Sequence, residues 1–198
     1  MVNLIKERIA KIIRVLSVPP IMVSIFILIL AFNKNNIFRN SEEIITMIVF
    51  LGLVPALAYV LSGIIPAVRS KGREGQRKLA FVTNLVGYGI ALLWAILTNV
   101  SKELLLICLT YFLSVVFLAI CNKGFHFRAS GHASGFTGPL ILMIYFLGWK
   151  VIAPVLIIAA LIVWASLYLK RHTIKELAGG ILVNILAFII SVMIITVL

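Results

Sequence analysis

Three histidines and six glutamates carry most of the acid–base chemistry open to this 198-residue chain, which contains no aspartate. His172 and Glu176 stand four positions apart in Lys170-Arg-His-Thr-Ile-Lys-Glu176, so on a helix they share one face. A carboxylate placed there accepts the imidazole Nδ1–H and leaves Nε2 free as nucleophile or base. Taken alone, the same pair also describes a salt-bridged helix start. His132 lies in Arg128-Ala-Ser-Gly-His-Ala-Ser-Gly. There Ser130 is placed to cap a helix, Gly131 lets a ligand approach the backbone, and the free N–H groups of the first turn suit an anion. Arg128 adds a bidentate donor for phosphate. Gly131, Gly135 and Gly138 recur at helical spacing and also describe a tight packing face. A third stretch, Arg69-Ser-Lys-Gly-Arg-Glu-Gly-Gln-Arg-Lys78, holds five cations in ten residues. Such a cluster attracts anionic lipid headgroups, and Lys71 and Lys78, seven apart, fall on one helical face that suits a phosphate clamp.

The elements that must position these residues are apolar. The chain is 63% hydrophobic and 12% charged, with mean hydropathy +1.18, half the charge of an ordinary globular domain. Runs near 20 residues predict seven membrane-crossing helices, at about 15–33 (broken near its start by Pro19 and Pro20), 44–65, 79–98, 103–121, 130–149, 151–169 and 177–198. The expected fold is an all-α integral membrane protein: a bundle of about 6–7 transmembrane helices in one domain spanning 1–198. Within it, 1–65 supplies the N-terminal helices, 66–182 the segment carrying the three polar stretches, and 177–198 the last span. Residues 3–16 set Ile5, Ile9, Ile12 and Leu16 against Lys6, Arg8, Lys11 and Arg14, the pattern of an amphipathic helix lying in the membrane interface. Cys108 and Cys121 are thirteen positions apart in one helix, too far for a disulfide.

Even numbers of crossings separate the three polar stretches, so they emerge on one membrane face. That face carries 14 of the 18 Lys and Arg residues, and the positive-inside rule makes it cytoplasmic, in a multi-pass protein of the cell membrane. An anion site, a histidine backed by a carboxylate, a second histidine and several cations can converge there. Phosphoryl transfer through a phosphohistidine needs that inventory.

On these residues the chain resembles the type-2 phosphatidic acid phosphatase superfamily, which includes the vanadium haloperoxidases, as a small divergent member. The family motifs are Lys-x6-Arg-Pro, Pro-Ser-Gly-His and Ser-Arg-x5-His-x3-Asp. Here the first maps to Lys71-x6-Lys78-Leu79, with Arg73 and Arg77 as an alternative phase. The second maps to Ala129-Ser130-Gly131-His132, and the third to Ala165-Ser166-x5-His172-x3-Glu176. The chain departs from the pattern in lacking both prolines, in having glutamate for the aspartate, and in placing Ser166 where the motif has arginine. Arg128 and Arg171 are the nearby replacements. The resemblance implies that His172 attacks phosphorus, oriented by Glu176, and that His132 protonates the leaving alkoxide. Lys71, Arg73, Lys78, Arg128, Ser130 and the Gly131 amide would hold phosphate oxygens, with no metal or other cofactor. The substrate would be a lipid phosphate, such as phosphatidate, phosphatidylglycerophosphate or a polyprenyl phosphate or diphosphate. Membrane lipids would be the surroundings, and nucleic acid plays no part.

Three other activities fit parts of the pattern. His126, His132 and His172 with Glu176 have the donor chemistry of a zinc-dependent membrane hydrolase. His132-Ala-Ser134-Gly135 echoes the Gly-x-Ser-Gly of serine intramembrane proteases. A catalytically inactive lipid-phosphate-binding or transport protein is the third, although few polar residues, chiefly Asn84 and Asn184, fall mid-span.

Overall fold

The computed structural model describes residues 2–34 and 36–198, and among these every regular element is helical. Nine helices follow one another: α1 (Val2–Leu16), α2 (Pro19–Asn33), α3 (Ser41–Ile64), the single turn α4 (Pro66–Arg69), α5 (Gly72–Leu97), α6 (Lys102–Gly124), α7 (Gly131–Leu147), α8 (Trp149–Tyr168) and α9 (Ile174–Val197). Five of them, α3, α5, α6, α8 and α9, are long and apolar enough to cross a membrane. α7 is apolar but has 17 residues, about 25 Å at ~1.5 Å per residue, shorter than a full hydrocarbon slab.

The expected first span over 15–33 is divided. α1 ends at Leu16, and α2 starts at Pro19–Pro20 after a 63° bend. Consecutive prolines cannot continue a helix, because each lacks an N–H and its ring strikes the carbonyl four residues earlier, but they suit a first turn. The elbow is held by close packing: a methyl group on Gly135 of α7 would run into the Pro19 ring. Pro55, inside α3, is preceded by a π-helical stretch over Ile48–Leu53. The wider turn accommodates the backbone bond that proline removes.

The third expected span, 79–98, extends to Gly72 at its N-terminal end, so the basic stretch is mostly helix rather than loop. Arg, Glu, Gln and Lys are good helix formers, and Glu74 and Lys78 pair across one turn at 3.0 Å.

The main core lies between α2, α3, α5 and α6. Phe26, Ile27, Leu30, Met47, Leu51, Tyr88, Ile107 and Tyr111 are buried there. α9 packs along α6 and α7, while α1 lies against α8. These packings gather the start of α7, the start of α9, the end of α8, the start of α5 and the end of α1 at one end of the bundle. Cys108 is buried, Cys121 half-buried, and both thiols are free.

Candidate functional site

The site forms where two helix starts meet. Ser130 caps α7, its hydroxyl accepting from the Ala133 N–H at 3.2 Å. Thr173 caps α9 through a reciprocal box: Glu176 N–H donates to Thr173 Oγ1 at 3.2 Å, and Thr173 N–H donates to Glu176 Oε2 at 3.1 Å. A backbone bond then ties the two starts together, Ser130 N–H donating to the Glu176 carbonyl at 2.9 Å. Gly180 makes this approach possible, since a methyl group there would collide with the Ser130 carbonyl oxygen.

On this frame the two histidines face one another. The rings of His132 and His172 are nearly parallel, 3° apart, with centroids separated by 6.3 Å. His172 Nδ1 lies 3.3 Å from Glu176 Oε2, and its Nε2 lies 3.5 Å from Ser130 Oγ. The carboxylate therefore takes Nδ1 and turns Nε2 toward the cap of α7. His132 Nε2 is 3.3 Å from Ser17 Oγ, and its ring sits edge-on to Phe136 one turn further along α7. Burial lowers the His172 pKa below histidine's ordinary value near 6.5, outweighing the opposite pull of the Glu176 hydrogen bond. Burial thus favours the neutral imidazole.

Arginine surrounds the pair. Arg128 Nε binds Glu176 Oε1 at 3.4 Å, which leaves its two terminal nitrogens available. An Arg73 terminal nitrogen donates to the Arg171 carbonyl at 3.4 Å, joining α5 to the end of α8. Arg77 lies within electrostatic reach of Arg73, Arg128 and Glu176, and Arg14 within reach of Arg73, Arg171 and both histidines. Of these five guanidinium groups, Arg128 touches the Glu176 carboxylate and Arg77 lies within its reach, while Arg14 lies nearer the two histidines. Glu74, further out, is already paired with Lys78. Like charges at this density favour a bound anion.

His132, His172, Glu176, Ser130, Gly131, Arg128 and Arg73 are all assembled here. Lys71 and Lys78 are not. Lys71 precedes α5 as its N-cap residue and is exposed, while Lys78 is paired with Glu74. Of the expected lysine clamp, Lys71 stands just before α5 and Lys78 is held by Glu74, while Arg73 and Arg77, four apart on α5, are the cations of this stretch that reach toward Arg171, Arg128 and Glu176. His126 is exposed on the loop with a left-handed φ of 51°. Among the described residues no three His, Cys, Asp or Glu side chains lie close enough to share a metal, so the donor set His126, His132 and His172 is not brought together. Ser134 is buried, and its hydroxyl accepts from Asn184 Nδ2 at 3.5 Å rather than meeting a histidine. A separate cleft of about 310 Å³ lies at the other end of the bundle, lined by Lys34, Asn36, Ile37, Glu103, Tyr145 and Phe146.

Sequence reasoning missed Arg14 and Ser17. It assigned α1 wholly to the lipid surface, and Ile5, Ile9, Ile12 and Leu16 are indeed exposed. A second stripe of the same helix, Ala10, Ile13, Arg14 and Ser17, turns inward at spacings of three, four and seven. The small residues Ala10 and Ser17 bracketing Arg14 were the available signal.

A scan against protein-family models, a search of curated proteins and a search of solved structures each found no match.

Proposed function

We propose that this chain is a membrane-embedded lipid phosphatase that cleaves the phosphomonoester or diphosphate of an amphiphile through a phosphohistidine. The observation that carries this reading is the facing pair His132 and His172, 6.3 Å between centroids, with Glu176 on one imidazole and guanidinium groups around both. In the first step His172 Nε2 donates its lone pair to phosphorus as the phosphorus–oxygen ester bond breaks. Burial and Arg14 leave His132 neutral in the free site, so its proton is taken up with the substrate: the bound phosphate dianion favours the imidazolium, which then gives that proton to the departing alkoxide. In the second step water attacks the phosphohistidine, its proton passes to His132, and the nitrogen–phosphorus bond breaks to release inorganic phosphate. Arg73, Arg77 and Arg128 with the capped start of α7 stabilise the charge that gathers on the equatorial oxygens. Lys71 and Lys78 have no part in this scheme. Because the site lies at helix ends beside apolar surface, it suits a substrate whose headgroup is phosphate and whose tail stays in the bilayer. Phosphatidate, phosphatidylglycerophosphate and polyprenyl phosphates share that chemistry.

The deciding experiment is release of inorganic phosphate from a panel of lipid phosphates by detergent-purified protein. We expect hydrolysis that vanadate inhibits and that excess EDTA leaves intact. Loss of activity in EDTA with rescue by zinc would overturn the metal-free scheme. Binding of the same lipids without any phosphate release would leave a lipid-phosphate-binding protein in its place.

We also propose that the chain crosses the cell membrane seven times, α2 and α7 included, with the histidine end cytoplasmic. The support is the excess of Lys and Arg in the segments at that end. Lys123, exposed on the neighbouring segment, provides the test. A cysteine placed there should resist impermeant maleimide in intact cells and react after lysis, whereas labelling in intact cells reverses the orientation.

A further inference from the structure

We infer that Arg14, delivered by the interfacial helix α1, binds a non-bridging oxygen of the substrate phosphate. The inference rests on the phosphatase reading and adds to it a residue from a segment outside the three polar stretches. Four observations carry it. Ser17 Oγ, one turn beyond Arg14, lies 3.3 Å from His132 Nε2 and also donates to the Arg14 carbonyl at 3.3 Å, so this end of α1 is fastened to the histidine pair. One terminal nitrogen of Arg14 is buried and meets no acceptor. Its neighbours are Arg73, Arg171, the two imidazoles and the Tyr59 phenol, and among the described residues no carboxylate is paired with it. Finally, Ser166, in the position where the resembled motif carries arginine, is 1% exposed and its hydroxyl has no partner, so that position offers the site no cation.

A buried, charged donor without an acceptor is costly, and the cost is larger when the groups around it are also positive. A dianionic phosphate between the histidines removes both penalties at once. It supplies oxygen acceptors to Arg14 and neutralises the repulsion among Arg14, Arg73 and Arg171. The other two candidates approach from the exposed side: Arg128 holds Glu176 through Nε and keeps its terminal nitrogens at the solvent-facing rim, and Arg171 is exposed, so only Arg14 presents a buried guanidinium nitrogen without an acceptor. The ligand recognised by Arg14 is thus the phosphate group itself, whether on a lipid or free.

The test uses the full chain in detergent, titrated with inorganic phosphate and separately assayed on phosphatidate micelles. Arg14→Gln should weaken inorganic phosphate binding about ten- to a hundredfold, the loss of one charge-assisted donor, and lower kcat/KM at least as much. Arg14→Lys should recover part of the binding. Arg8→Gln, an exposed cation on the same helix, should change neither quantity. In the unsubstituted protein, inorganic phosphate should protect Arg14 from phenylglyoxal, read by peptide mass. That measurement needs no variant to fold. Modification of Arg14 undiminished at saturating phosphate, or Arg14→Gln matching the unsubstituted protein in binding and turnover, overturns the role of Arg14 while hydrolysis by the latter keeps the phosphatase reading. Phosphate binding that depends on Arg14 without hydrolysis of any lipid phosphate does the reverse. A chain that neither binds phosphate nor hydrolyses the lipids overturns both.

Discussion

Replacing His172 with alanine should lower turnover of a lipid phosphate by at least about three orders of magnitude, with little change in folding. The loss is that of a nucleophile for which no neighbour can substitute. His132 is the other imidazole in the cluster, and its Nε2 is directed at Ser17 rather than toward the Ser130 cap. The stability cost should be small. His172 is 10% exposed but lies at the polar end of the bundle between helix starts, outside the apolar core, and the α9 cap is made by Thr173 and Glu176 without it. The check is a single-turnover assay with radiolabelled lipid phosphate, quenched in base. Acid-labile label on the unsubstituted protein and none on His172→Ala is the expected pair. Equal turnover by the two proteins would remove His172 as the attacking group.

The second large effect is expected at Glu176. Glu176→Gln preserves the shape and an oxygen acceptor for the Thr173 N–H, so the helix cap survives. It removes the charge that faces His172 Nδ1 and Arg128. By analogy with other carboxylate–imidazole pairs, where losing the charge leaves the wrong tautomer poised, kcat should fall about 10²- to 10⁴-fold. The pH profile should move as well. The groups that act on His172 are Glu176, which raises its pKa, and burial with the charges of Arg14 and Arg77, which lower it. The nucleophile must be neutral, so activity is lost as pH falls through the His172 pKa. In the unsubstituted protein that acid limb should lie below pH 6.5 or so. Removing the Glu176 charge takes away the raising influence, and the limb should shift to still lower pH while the plateau drops. Profiles of kcat/KM from pH 4.5 to 8 for both proteins measure this. A limb that moves upward in Glu176→Gln would show that the carboxylate does not face the titrating imidazole.

Much of this arrangement was readable from residue spacing. The four-residue interval of His172 and Glu176, and the serine two positions before His132, predict local geometry because a helix start constrains only its own first turn. Both are found as expected, one with Nδ1 on the carboxylate and the other with Ser130 as the cap. The apolar runs predict helices because any backbone in hydrocarbon must satisfy its hydrogen bonds within the segment. The lysine pair was less legible for a reason equally local. Its phase depended on where α5 begins, and Gly72, with φ at +53°, starts the helix after Lys71. Arg14 was out of reach for a different reason. In an amphipathic segment at an interface, cations opposite an apolar face are explained by lipid alone, and the small residues Ala10 and Ser17 on either side of Arg14 are the one local sign that it turns toward a neighbouring helix. Only the packing of α1 on α8 and the Ser17–His132 contact settle which cation turns inward.

That contact joins positions 115 residues apart, and the Arg73–Arg171 bond spans 98. Interactions of such long loop length form late, because closing the chain must be compensated by contacts already made. During biosynthesis the first helix would rest on the bilayer with its guanidinium idle until the eighth and ninth helices are inserted. On the proposed function, a half-inserted polypeptide would consequently lack the assembled His132, His172 and Arg14 cluster, and lipid phosphate would meet it only after the last helices are in place.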